Sequence, residues 1–175
     1  MSQEKSKSNK QLIEAWLNEA VDAGGLFRSD YVERRGWKVV PEESGLHFDE
    51  GDMQGLARAS EACGVTQLFA RLTEQLGDVP EFLDFAATVD SINEFNLEYG
   101  HFNLVLWADT GDFSVICSTT EDYLLYAGAE EVLELATGEP YTRAWELFEE
   151  YVSWASDTSE YHEVYEEIIK RYKAE

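Results

Sequence analysis

Residues 101–127 read HFNLVLWADTGDFSVICSTTEDYLLYA, and this stretch decides the fold. Phe102, Leu104 and Leu106 alternate with Asn103, Val105 and Trp107. After the turn Asp109-Thr110-Gly111-Asp112, Phe113, Val115 and Cys117 alternate with Ser114, Ile116 and Ser118. The short polar link Thr119–Asp122 then leads to a third apolar run, Tyr123–Ala127. Period-two alternation broken by links this short predicts an antiparallel meander of three strands. Both of its faces carry apolar side chains, so helices are expected to cover much of at least one of them.

On either side the period changes to that of a helix. Upstream, Ser8 or Asn9 is the expected cap of a helix with the stripe Leu12, Ile13, Trp16, Leu17, Ala20 and Val21, stopped at Gly24–Gly25. Residues 26–50 read as irregular, with one strand at Trp37–Val40 ended by Pro41. Three helices are then expected. The first is capped by Asp52 and runs to Cys63. The second is capped by Thr66, with Leu68, Phe69 and Leu72 inward and Gly77 as its stop. The third starts at Asp78, with Pro80 in its first turn, and carries Phe82, Leu83, Phe85, Ala86, Val89 and Ile92. Downstream, a short helix over Ala129–Thr137 is closed by Gly138, and Pro140 opens a longer one with Trp145, Phe148, Tyr151 and Val152. Thr158 or Ser159 caps the last, whose final turn holds Lys170, Arg171 and Lys173, where cations suit the helix dipole. The fold class is α+β: a three-stranded antiparallel meander at about 101–127 packed with flanking helices. With 175 residues, no repeat and no linker, the chain reads as a flexible tail at 1–8 and a single domain over 9–175.

Composition narrows the function. Hydrophobic residues make up 44% and aromatic residues 13%, enough for a core and against a disordered acidic chain. Against 13 Lys and Arg stand 36 Asp and Glu, a formal charge of −23. Such a surface repels phosphates, which argues against direct nucleic-acid binding and against an anionic membrane face. The polar start Met1–Lys10 is followed by no signal-type apolar stretch, and no run approaches the ~20 residues of a membrane span. A soluble, cytoplasmic protein is expected.

The charge is also uneven. Between Arg71 and Arg143 lie 71 residues without a single Lys or Arg, and they carry 15 acids. Those carboxylates are solvated, paired with cations from the flanking segments, or held for a partner. Motifs for chemistry are lacking. Cys63 and Cys117 have no CxxC or His companions and read as reduced structural thiols. His47, His101 and His162 stand in no metal or triad spacing. Asp109-Thr110-Gly111 has the form of an aspartic-protease triplet, but no second copy exists and a hairpin needs the same residues. No phosphate loop, nucleophile elbow or calcium loop is present. The expectation is a non-enzymatic protein without cofactor or metal.

What remains is binding. A carboxylate-rich surface is steered onto a cationic groove, so the expected function is an acidic protein that blocks a basic nucleic-acid-handling partner, above all an immunity protein or inhibitor of a nuclease-type toxin. The partner is then a basic protein. Expected contact residues are Glu121, Asp122, Glu130, Glu131 and Glu134 with Tyr123 and Tyr126 as anchors, and secondly Glu160, Glu163 and Glu167 with Tyr161 and Tyr165. The alternative is a phage or mobile-element DNA mimic opposing restriction or CRISPR defence, which requires two parallel carboxylate rows. A third possibility is a halophilic or regulatory domain, for which the count of only 6 Lys speaks, or an enzyme without a readable motif.

Overall fold

The computed structural model describes residues 11, 13–44, 48–73, 77, 79–155 and 162–173. Within them the meander is the middle of a larger sheet. Strands β1 (Lys38–Glu43), β2 (Gln67–Leu72), β3 (Phe82–Ala86), β4 (Leu104–Ala108), β5 (Phe113–Ser118) and β6 (Tyr123–Gly128) form one six-stranded sheet in the order β1-β6-β5-β4-β2-β3. Every pairing is antiparallel. All residues of β4, β5 and β6 are buried, because helices cover the sheet on both faces rather than one.

The register assigns the faces. Leu68, Ala70, Leu72, Leu104, Leu106, Val115, Cys117, Leu124, Tyr126, Val40 and Glu42 share one face. It is covered by α3 (Glu50–Ala62), α4 (Val89–Tyr99) and α5 (Glu130–Thr137), with α3 packed between the other two. Phe95 of α4 stacks on Phe85 of β3 at 4.2 Å. Gly55 lets α3 reach α5: a Cβ there would sit 1.7 Å from the Ala136 carbonyl oxygen. Buried Asn96 ties α4 to the entry of α3, accepting from Phe48 N at 2.8 Å and donating to Phe48 O at 2.9 Å.

The opposite face carries Val39, Leu125, Ile116, Val105, Trp107 and Phe69. Here Trp16, on the helix α1 over 13–20, stacks on Trp107, which in turn stacks on Phe69. Helix α2 (Ser29–Arg35) ends at Gly36, whose φ of 63° is easy only for glycine. Helix α6 (Tyr141–Ala155) lies against β1, and α7 (His162–Tyr172) reaches back so that Tyr172 OH donates to the Phe27 carbonyl and Arg171 pairs with Asp22.

The two edges of the sheet differ. Ser44 N bonds Asp122 O, so Val40 and Glu42 point their backbone groups to β6 while those of Val39 and Pro41 point outward. Pro41 needs no donor there, and the Val39 carbonyl accepts from Trp145 Nε1 at 3.1 Å. That is why the strand runs through Pro41 instead of ending at it.

Several expected elements are corrected. Residues 67–72 form β2, not a helix: Leu68, Ala70 and Leu72 alternate inward between two partner strands, and long-range pairing on both sides outweighs the ambiguous spacing of 68, 69 and 72. The helix expected from Asp78 is β3 followed by α4, whose cap is Thr88 through its bond from Ser91 N; Asp78 lies outside the described residues. Helix α3 is capped by Asp49, and Asp52 is the third helical residue of a reciprocal capping box. The sheet has six strands, not three. The caps expected at Ser8 or Asn9 and at Thr158 or Ser159, and the tail 1–8, lie outside the described residues.

Candidate functional site

The helices α3, α4 and α5 form one outer layer, and its charge is one-sided. Their sequences hold nine acids: Glu50, Asp52, Glu61, Asp90, Glu94, Glu98, Glu130, Glu131 and Glu134. They hold one cation, Arg58, whose guanidinium donates to the Leu135 carbonyl at 3.3 Å. Asp90, Glu94 and Glu98 recur every fourth residue of α4, a row with about 6 Å between neighbours. Helical geometry follows from Thr88 as cap and from Ile92, Phe95 and Asn96 as the buried side, which leaves that row in solvent. Among the described residues only Glu130 of the nine meets a cation, Lys38, at 3.7 Å.

Apolar contact area lies among these charges. Leu97 is 71% exposed beside Glu94 and Glu98, and Val89 and Leu135 are exposed on α4 and α5. A cleft of about 540 Å³ opens between α3 and the start of α4, lined by Gln54, Ala57, Arg58, Glu61, Thr88 and Val89 among others. The opposite layer is different in kind. There Arg34 pairs with Glu19, Arg143 with Glu146 and Glu150, Arg171 with Asp22 and Glu167, and Lys173 with Glu149.

Beneath the acidic layer sits a buried acid group. Glu42 of β1 shares the inner face with Tyr126 of β6 and Cys117 of β5, and Asp52 approaches from the first turn of α3. Burial pushes the Glu42 carboxyl up to about 8, helped by the charges of Asp52, Asp49 and Glu139, while the nearby Tyr126 hydroxyl works the other way. Burial likewise raises Asp52 to about 6, with a backbone bond from Asp49 opposing. Tyr126 and Cys117 are driven well above their ordinary values, by burial first. Neither Glu42 Oε2 nor Tyr126 OH has a hydrogen-bond partner among the described residues. The described residues contain no group of three or more His, Cys, Asp or Glu placed to hold a metal ion.

The expected contact residues are only partly brought together. Glu131 and Glu134 are exposed in the acidic layer, although Glu134 also accepts from Tyr141 N at 3.0 Å. Tyr123 and Tyr126 are 2% and 1% exposed and belong to the core, since both sheet faces are covered; they cannot anchor a partner. Glu121 and Asp122 are half-buried at the β5–β6 turn. That turn is organised by Asn103, whose Oδ1 accepts from Thr119 N and Thr120 N, and it is overlain by Tyr165, whose hydroxyl donates to Glu121 O at 2.8 Å. Tyr165 is 1% exposed and is a core residue too. Glu163 is exposed, Glu167 is held by Arg171, and Glu160 and Tyr161 lie outside the described residues. The row on α4 and the burial of Glu42 were not foreseen by the sequence reading. The fourth-residue spacing from Asp90 to Glu98 marks the first; an acid at an inward strand position, two residues after Val40, marks the second.

Comparison with models of protein families, with curated proteins and with solved structures gave no match. Among the described residues no helix is long and apolar enough to cross a membrane.

Proposed function

We propose that the protein is a non-enzymatic, acidic inhibitor that blocks a basic nucleic-acid-handling protein, an immunity protein against a nuclease-type toxin being the reading favoured. The observation that carries it is the α4–α3–α5 layer: eight exposed acids, a single arginine turned to a carbonyl, and the exposed apolar residues Val89, Leu97 and Leu135 among them. Charges of one sign held close together cost stability, and the same field accelerates encounter with a cationic groove. The apolar residues supply the desolvated contact that charge alone does not. They take the role that the sequence assigned to Tyr123 and Tyr126.

A DNA mimic is supported less well. It needs two parallel carboxylate rows, and the helix beside α4 presents Gln54, Ala57 and Arg58 between Glu50 and Glu61. The two readings differ in breadth, one partner against many.

The test is capture of the partner from the native host, followed by association rates in low and high salt. Rates are expected to fall at least tenfold from about 50 to about 500 mM salt, as screening shortens from roughly 14 to roughly 4 Å. The triple variant Asp90→Asn/Glu94→Gln/Glu98→Gln should bind more slowly and lose most of that salt dependence. A rate indifferent to salt and to the triple variant overturns the proposal. Equal competition with DNA for several unrelated DNA-binding proteins would turn it into the mimic.

A further inference from the structure

The edge formed by β3 is built to receive another strand. Leu72 N bonds Glu81 O at 3.0 Å and Ala87 N bonds Thr66 O at 3.1 Å, which fixes the parity of the β2–β3 ladder. Counting in twos between those bonded pairs, Leu83 and Phe85 turn their backbone groups to β2, and Asp84 and Ala86 turn theirs away from the sheet. No described strand lies beyond β3. Among the described residues nothing of the protection seen at β1 is repeated here: residues 82–86 contain no proline and no lysine, and no indole donates to an outward carbonyl of β3. The outward backbone groups of Asp84 and Ala86 are a template for strand addition.

The surroundings select the guest. Asp84 is exposed in mid-strand, on the face it shares with Phe69, while Leu83 and Phe85 lie half-buried on the other face against α4. On the solvent side of α4, the helix that packs against β3, stand Asp90, Glu94 and Glu98. The cation nearest in the chain, Arg71, is already bonded to Glu81 at 3.1 Å. A segment lying along β3 therefore meets anions, with an apolar–basic–apolar pattern matching Leu83, Asp84 and Phe85 in turn. A second copy of this chain is the wrong guest. Edge-to-edge pairing of two molecules would bring together two Asp84 side chains and two α4 rows on molecules of charge −23 each.

We propose that β3 is the docking edge for an extended lysine- or arginine-bearing segment of a partner protein, which adds to the sheet as a seventh strand. This rests on the reading of the chain as a blocker of a basic partner, and it names the part of the partner that is held.

The probe is an end-blocked heptapeptide alternating lysine and valine, titrated into the full chain while amide hydrogen exchange is followed. Exchange at Asp84 and Ala86 is expected to slow at least tenfold when the peptide is bound. Ala86→Pro removes one outward N–H without altering charge or any bond inside the sheet, so folding should persist and affinity should drop at least tenfold. The same peptide N-methylated at alternate residues, tested on the unaltered protein, should fail likewise and does not depend on how the variant folds. Absence of binding, or binding that ignores both N-methylation and Ala86→Pro, overturns the strand site. If such binding is still lost in the Asp90→Asn/Glu94→Gln/Glu98→Gln variant, the acidic interface survives and only the edge is refuted. Sedimentation showing a dimer of the protein alone, dissolved by Ala86→Pro, would put a second copy on β3 and also overturn the proposal.

Discussion

Replacing Glu42 by Gln should flatten the dependence of stability on pH. In the fold, burial beside Asp52 keeps the Glu42 carboxyl protonated up to about pH 8, whereas in the unfolded chain it ionises near its ordinary value of 4.5. Between those two values the folded state binds more protons than the unfolded state, so stability is highest in acid and declines as pH rises through the window. One pH unit is worth about 1.4 kcal/mol for a single group, which makes the loss between pH 5 and pH 8 about 3 kcal/mol. Glu42→Gln keeps the shape and cannot ionise. It should match the wild-type protein at pH 5 and exceed it at pH 8 by about 2–3 kcal/mol. Urea unfolding of both proteins at pH 5, 6, 7 and 8 measures this directly. Asp52, raised to about 6, contributes a smaller decline that the variant should retain between pH 4 and 6. Parallel curves for the two proteins, or a variant weaker at every pH, would refute the picture of a neutral acid under α3.

Other expectations follow from the packing and the charge. Gly55→Ala places a methyl group against the Ala136 carbonyl; despite better helix propensity, unfolding should show a net loss of about 2 kcal/mol. Trp145→Phe removes the donor to the Val39 carbonyl and should cost about 1–2 kcal/mol, with faster amide exchange in α6 against β1. The Asp90→Asn/Glu94→Gln/Glu98→Gln variant should unfold at a higher temperature than wild type in low salt, and the gain should vanish in molar salt as repulsion is screened.

The sequence was most legible where a single period ruled. The alternation from Leu104 to Ala127 marks three strands because each run is bounded by a turn that only a hairpin requires, as at Gly111 with its φ of 74°. The helices around Trp145 and Ile168 were legible for the same reason. Residues 67–86 were not. Leu68, Phe69 and Leu72 fit a helix by spacing, and only the ladders to β4 and to β3 decide between the periods. Those ladders depend on contacts tens of residues away, which no local window contains. The site divides along the same line. The cation-free stretch from 72 to 142 supplies α4 and α5 of the acidic layer, whereas α3, which carries Arg58, precedes that stretch and was not part of the expectation. The anchors were misjudged, because Tyr123 and Tyr126 look alike whether a strand is covered on one side or on two. Coverage of the second face by α1, α6 and α7 comes from both chain ends and leaves no mark in the strand itself.

The blind margin of the sheet at β1 has a consequence for self-association. Runaway β-polymerisation needs every molecule to accept a neighbour on its left and on its right, and here one flank is stopped by a ring nitrogen that has no hydrogen and by an indole in the next free place. Whatever accretes at the far flank finds no way to hand the ladder on through β1, so growth along the sheet stops after a single addition.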